Sequence, residues 1–127
     1  MTISLCLACG ELKFGAYCPC PKCGAEPEEQ DKPLSVRLSD HYLADETLRE
    51  IGQIVRFLRQ ASDDPRACLD ALARFLVREH PEIYDDALTP EAEARAEALL
   101  ARIDLPRIVP RPSVKVLLAR RIIRQRG

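Results

Sequence analysis

Tryptophan is absent from this chain, and aromatic residues of all kinds make up only 5% of its 127 residues. Hydrophobic residues still reach 46%, so a core has to be built mainly from Leu, Ile, Val and Ala. A chain of this length can bury such a core in one domain, or in a small domain joined to a helical one. The composition therefore favours packed helices over a β-sandwich.

Long apolar runs and common catalytic motifs are also absent. No stretch approaches the roughly 18 uninterrupted apolar residues of a membrane span, and the N-terminus lacks the layout of a signal peptide. There is no glycine-rich phosphate loop, no HExxH and no G-x-S-x-G, and neither His41 nor His80 lies in a catalytic pattern. We therefore expect a cytoplasmic protein that is not an enzyme and has no small-molecule substrate.

Charge is divided unevenly along the chain. Residues 26–104 carry 10 basic and 19 acidic side chains, a net charge of −9, whereas residues 105–127 carry seven basic side chains and no acidic one. Such a basic segment can bind nucleic acid through counterion release. The candidate nucleic-acid contacts are Arg111, Lys115, Arg120, Arg121, Arg124 and Arg126. Alternatively, the segment packs on the acidic part of the chain or on another subunit, or it contacts a membrane surface.

From residue 45 onward, apolar residues recur at three- and four-residue intervals, as one buried helical face requires. Asp64-Pro65 and Thr89-Pro90 each combine a capping side chain with proline at the first helical position. These signals predict helices over about 45–61, 65–80 and 90–103.

Proline and charge mark the irregular segments. Three prolines between residues 106 and 112 exclude a continuous helix, so an extended chain is expected there. Ser113 can then cap a fourth helix that is amphipathic and basic. Residues 26–38 are charged, contain two prolines and show no apolar period, which predicts a linker.

Five of the six cysteines lie within residues 6–23, a crowding better suited to metal ligation than to disulfides. Cys6-Leu-Ala-Cys9-Gly and Cys20-Pro-Lys-Cys23-Gly, called here the first and second knuckle, are two C-x-x-C-G elements separated by ten residues. In each knuckle, two intervening residues let a tight turn direct both sulfurs at one ion, and the glycine supplies a positive φ. The pattern predicts a tetrahedral four-thiolate site for a structural Zn²⁺. Short strands are expected at residues 3–5 and 12–14.

The paired knuckles resemble the zinc-ribbon superfamily over roughly residues 4–25. That resemblance implies a structural metal in a nucleic-acid-binding or protein-docking module, with Cys6, Cys9, Cys20 and Cys23 as ligands. The sequences KFGAYCPCPKCG and LSDHYL are also similar to those of small standalone bacterial zinc-ribbon proteins of unassigned function. An iron site of rubredoxin type uses the same knuckles and is an alternative, although rubredoxins place a longer segment between them.

Four further features of the sequence are interpreted individually. Cys18 is either a bystander in the hairpin or a substitute ligand, and Cys68 is expected in the helical core. His80 is expected to interact with a helix C-terminus. The triplet Asp40-His41-Tyr42 is expected to have a capping or solvated role. The alternative is that it docks against the knuckles or a partner.

The sequence predicts a mainly α protein with three parts: a zinc-ribbon-like knuckle pair in residues 1–25, a linker in 26–38, and a helical domain with a basic C-terminal helix in 39–127. The helical part is expected to be a bundle of three or four short helices. The predicted function is that of a zinc-binding, non-enzymatic binding or regulatory module that contacts proteins or self-associates. Nucleic-acid binding and iron-based electron transfer are the alternatives.

Overall fold

The structure, a computed structural model, describes residues 2–113. The predicted fourth helix and the candidate nucleic-acid contacts from Lys115 onward therefore lie outside the described residues. Within residues 2–113 the elements are two short strands followed by four α-helices, so the described part of the chain is mainly α.

The chain begins with a small antiparallel hairpin. Strand β1 (Ile3–Leu5) pairs with strand β2 (Leu12–Phe14), which places Ile3 opposite Phe14 and Leu5 opposite Leu12. Both strands lie where they were predicted. The first knuckle occupies the connection between them, so the hairpin itself presents this half of the cysteine cluster.

The segment predicted as an irregular linker contains regular structure, which corrects that expectation. A turn of 3-10 helix at Glu29–Asp31 leads into helix α1 (Lys32–Arg37), which has proline in its first turn. Leu34 and Leu38 lie four residues apart on one face and are both buried. Two apolar residues are too few to produce a visible period in the sequence, which is why α1 was missed. The domain boundaries at residues 25 and 39 stay a prediction.

The three longer helices lie close to their predicted positions. Helix α2 spans Asp45–Ala61, helix α3 spans Pro65–Glu79 and helix α4 spans Pro90–Leu100. The predicted caps are present, because the side chains of Asp64 and Thr89 accept backbone amide hydrogen bonds at the starts of α3 and α4. Helix α4 is three residues shorter than predicted. None of the helices in the described part is long and apolar enough to cross a bilayer.

One apolar core joins the hairpin to the helices. Helix α3 packs against both α2 and α4, while β1 packs against α1 and α2. The core draws on every one of these elements, and its fully buried members include Leu5, Leu38, Leu48, Ile51, Ile54, Ala71, Leu76 and Ala96. Leu5, which directly precedes the first metal-ligand candidate, therefore lies in the same core as the helices.

A bidentate ion pair fastens the segment before α1 to helix α3. The Arg66 guanidinium donates to both carboxylate oxygens of Asp31, at 2.7 and 3.1 Å, and also pairs with Asp70 at 3.4 Å. Asp31 and Asp70 are both buried; Arg66 compensates the charge of Asp31, and it shares Asp70 with Arg95, which donates to that carboxylate at 2.9 Å. This contact explains why a charged segment lies against the protein instead of extending into solvent.

After α4 the chain runs back along the start of α2 in an extended conformation, as the three prolines predicted. The Thr47 hydroxyl donates to the carbonyl of Val109 and accepts from the amide of Arg111. The Arg111 carbonyl accepts from the amide of Ala44, and the amide of Ser113 donates to the carbonyl of Tyr42 at 3.1 Å. The described chain therefore ends beside Tyr42.

The first knuckle lies against helix α2 through a backbone contact at two glycines. Gly10 follows Cys9 with a φ of +80°, and a Cβ on Gly52 in the middle of α2 would overlap the carbonyl oxygen of Gly10. Glycine inside a helix ordinarily costs about 1 kcal/mol relative to alanine. Here the missing side chain at position 52 lets the knuckle approach the helix.

We expect Gly52→Ala to destabilise the protein by about 1–3 kcal/mol, because the new methyl group forces the knuckle away from α2. Urea unfolding of this variant would be compared with that of Gln53→Ala, an exposed neighbour on the same helix where the change should be close to neutral. A Gly52→Ala protein more stable than the parent would show that the close contact is absent.

Candidate metal centre

Four cysteine sulfurs meet at the end of the hairpin. The Sγ atoms of Cys6, Cys9, Cys20 and Cys23 all lie within 4.8 Å of one another. Each knuckle contributes one sulfur to each close pair, with 3.6 Å between Cys6 and Cys23 and 3.7 Å between Cys9 and Cys20. A tetrahedral site with Zn–S bonds of about 2.3 Å has sulfur–sulfur edges of about 3.8 Å. The spacing therefore fits a single metal ion, and the four cysteines can hold one.

The two knuckles share the same backbone hydrogen bonds. In the first, the Gly10 amide donates to the Cys6 carbonyl at 2.9 Å, and in the second the Gly24 amide donates to the Cys20 carbonyl at 2.7 Å. The amides of Cys6 and Cys20 also donate to the carbonyls five residues ahead. Gly24 has a φ of +77°, close to that of Gly10. This repetition is the local reason that the C-x-x-C-G spacing delivers two sulfurs from each turn.

Backbone amides point at the sulfurs and partly offset the cost of charging them. Burial raises the pKa of the Cys6 thiol, and it raises the pKa of Cys9 to about 12. Burial also opposes charge on Cys20, but hydrogen bonds from the amides of Cys23 and Lys22 and from the Cys9 and Cys6 thiols together outweigh it and lower the pKa of Cys20 to about 7. Burial thus works against charging Cys6 and Cys9, and the charge of a bound cation would offset that cost.

The loop between the knuckles is held by side chains from the hairpin and from α1. The buried Lys13 ammonium donates to the carbonyls of Cys18, at 2.6 Å, and of Ala16. The Ser35 hydroxyl donates to the Ala16 carbonyl at 2.7 Å. These bonds fix the direction in which the chain enters the second knuckle.

One carboxylate connects both knuckles to helix α2. Glu11 Oε1 accepts from Lys22 Nζ at 2.7 Å and from Arg56 Nη2 at 3.3 Å, and Arg56 also donates to the carbonyl of Gly10. Lys22 and Arg56 lower the pKa of the Glu11 carboxyl, Lys22 having the larger effect. The groups are exposed, so their contribution to stability is small, but they define the orientation of the second knuckle.

The remaining cysteines lie outside the group of four. Cys18 is exposed, which agrees with its interpretation as a bystander in the hairpin. Cys68 is buried on α3, with its Sγ donating to the Leu58 carbonyl at 3.3 Å, so the prediction of a core residue is confirmed.

The structure also shows where the polar residues lie whose roles the sequence left undecided. His80 is the buried C-terminal cap of α3, and its amide donates to the Leu76 carbonyl, which confirms its predicted position at a helix end. Asp40 docks against the hairpin, because its Oδ1 accepts from the Ile3 amide and its own amide donates to the Ile3 carbonyl. The His41 ring lies edge-on to Tyr42 with 6.2 Å between ring centroids.

Of the candidate nucleic-acid contacts, Arg111 alone lies in the described part, where its backbone is held by Ala44 and Thr47. Residues Lys115, Arg120, Arg121, Arg124 and Arg126 lie beyond it. Sequence reasoning missed Gly52 and Arg56, both of which hold the first knuckle. A glycine in the middle of an otherwise regular amphipathic helix was the one available signal for the first of them.

Comparison with known proteins finds no match: no family model, no curated protein and no solved structure is significantly similar to this chain. The metal-site assignment consequently depends on the cysteine geometry alone.

Replacing a ligand should have a much larger effect than replacing its neighbour. We expect Cys23→Ser to weaken Zn²⁺ binding by at least about 100-fold, since even changes next to metal ligands cost 10–100-fold. Cys18→Ser, the matched control in the same loop, should leave the affinity unchanged. Competition with a chromophoric chelator measures both constants. The reverse result, a weakened Cys18→Ser and an unchanged Cys23→Ser, would make Cys18 the ligand.

Proposed function

We propose that this protein is a zinc-binding, non-enzymatic binding module that acts through protein–protein contacts, with a structural metal at Cys6, Cys9, Cys20 and Cys23. The convergence of the four sulfurs carries the proposal. All four corners of the tetrahedron come from the protein, which is the closed arrangement of structural zinc sites; catalytic sites keep one position open for water or substrate.

Zinc is favoured over iron by the surroundings of the sulfurs. Phe14 and Tyr17, the aromatic residues nearest to the knuckles in sequence, are 61% and 53% exposed. They therefore do not form the aromatic cover that rubredoxins place around their iron. Tetrahedral thiolate sites suit both metals, so the argument rests on this lack of cover among the described residues.

In this proposal the metal stabilises more than the hairpin. Cys6 directly follows Leu5, which is buried in the core shared with the helices, and β1 packs against α1 and α2. Metal binding supplies folding free energy that a segment of about 25 residues cannot obtain from burial alone. The bound ion would thus hold the hairpin against a small bundle formed by α1 to α4.

Exposed apolar side chains support a role in protein contacts. Phe57 projects from α2 and Val109 from the extended segment, and solvent reaches much of both. The proposal places the protein contact at these side chains, because covering them with a partner would remove apolar surface from water. The same property is compatible with self-association, which is part of the proposal.

Elemental analysis of protein purified without added metal should give about one zinc per chain with no visible colour. Removing the metal with a chelator should lower the free energy of unfolding by several kcal/mol and should change the helical circular dichroism signal, because Leu5 lies in the helical core. Iron with thiolate charge-transfer bands would instead support electron transfer. A chelated protein with unchanged stability would rule out a structural metal.

The protein-contact part of the proposal has its own test. A photo-cross-linking residue at position 57 should form covalent adducts with a protein partner or a second copy in cells. The same residue at Glu91, an exposed position on α4, serves as the matched control and should not. Equal labelling from both positions would count against a contact site at Phe57.

A further inference from the structure

An apolar groove lies beside the hairpin, on the side where Phe14 and Tyr17 are exposed. It has a volume of about 470 Å³ and is lined by these two rings, by Val36 of α1 and by His41, together with backbone of the hairpin. The groove shares Tyr17 and Val36 with a second, adjoining groove of about 670 Å³. Together they form a continuous surface that is larger than the groove at the hairpin alone.

We propose that residues 114–127 of the same chain dock in this groove and cover Phe14 and Tyr17. The proposal goes beyond the metal-dependent binding module, because it concerns contact between the basic C-terminal segment and the hairpin. Three observations lead to it: where the described chain ends, how far the remaining residues reach, and what charge they meet.

The end of the described chain lies near the adjoining groove, because residues 110–112 line a neighbouring pocket together with Arg37, which also lines that groove. The Ser113 amide donates to the Tyr42 carbonyl, and Pro112 forms an antiparallel bridge with Leu43. The Tyr42 ring contacts His41, which lines the groove. The described chain therefore ends beside Tyr42, whose ring contacts Arg37 of the adjoining groove as well as His41.

Length and apolar pattern suit the groove. Fourteen residues follow Ser113, which in a helix would extend about 21 Å. Val114, Leu117, Leu118 and Ile122 recur at the three- and four-residue intervals of an apolar helical face. Such a face needs an apolar surface, and the groove offers one next to its point of attachment.

Charge favours the same placement. The segment 114–127 carries five basic side chains and no acidic one. The adjoining groove is lined by Glu29, Asp85 and Asp86 as well as by Lys32 and Arg37. Lys32 already pairs with Glu29, and Arg37 donates to two backbone carbonyls. Asp85 and Asp86, in contrast, have no basic partner among the ion pairs of the described residues. These two carboxylates can therefore pair with the incoming segment.

A single fluorescent reporter tests the contact in the full-length protein. Phe14→Trp introduces the one tryptophan of the chain, at a position that the docked segment would cover. Adding Leu117→Ser and Leu118→Ser should shift its emission to longer wavelength and increase its quenching by iodide. Ala119→Ser, a serine substitution in the same segment outside the apolar stripe, should leave both unchanged. Metal content is measured in every variant, so that a failure of the zinc proposal is recognised separately.

Identical emission with and without the two leucines would overturn the proposal. A shift that appears only at concentrations where the protein dimerises would also overturn it, because the occupant would then be a second copy. Emission that is unchanged when the two leucines are replaced, but that changes when single-stranded DNA is added, would assign the groove to nucleic acid instead.

Photo-cross-linking supplies a second measurement that does not depend on the serine variants. With benzoylphenylalanine in place of Phe14, the monomeric full-length protein should give peptides joined between position 14 and the segment 114–127. Cross-links from the monomer that reach other parts of the chain, and none that reach this segment, would refute the docking.

Discussion

The position of the first knuckle depends on one contact in which two backbones touch without a side chain between them. Gly10 and Gly52 meet there, and neither position has room for a Cβ. Because helix α2 is rigid, this contact sets the height and tilt of the knuckle, and hence the place where the Cys6 and Cys9 sulfurs lie. Arg56 reinforces the contact one turn further along α2 by donating to the Gly10 carbonyl. The second knuckle is then brought to the first by the loop that Lys13 and Ser35 hold.

The hairpin and the helices are therefore packed together around a common core, in addition to being connected along the chain. Leu5 enters the helical core while the next residue, Cys6, contributes a sulfur to the cluster. The Leu5 amide donates to the Leu38 carbonyl at the end of α1, so the strand is hydrogen-bonded to the helical part as well as packed against it. Stability gained from a metal bound by the cluster would be transmitted to the core through these adjacent residues of one strand.

The sequence correctly predicted the structural features that are determined by residues a few positions apart. The C-x-x-C-G spacing, the caps at Asp64 and Thr89 and the apolar period of α2 all act within a few positions, and the corresponding elements were found close to where they were expected. Helix α1 was missed because its stability comes from distant partners, including the pairing of Asp31 with Arg66, 35 residues away. The fit between Gly10 and Gly52 is of the same kind, since neither glycine indicates the other in the sequence.

The four ligand candidates are equivalent in chemistry but differ in their access to water. Cys6 and Cys20 are buried, Cys9 is half-buried and Cys23 is exposed. An oxidant or a competing chelator in solution therefore has easier access to Cys23 than to the buried Cys6 and Cys20. Oxidation of one of these cysteines would abolish its ability to hold a metal, and susceptibility follows both exposure and thiolate character. Of the four sulfurs, Cys23 is therefore the one that is most accessible to reagents in solution.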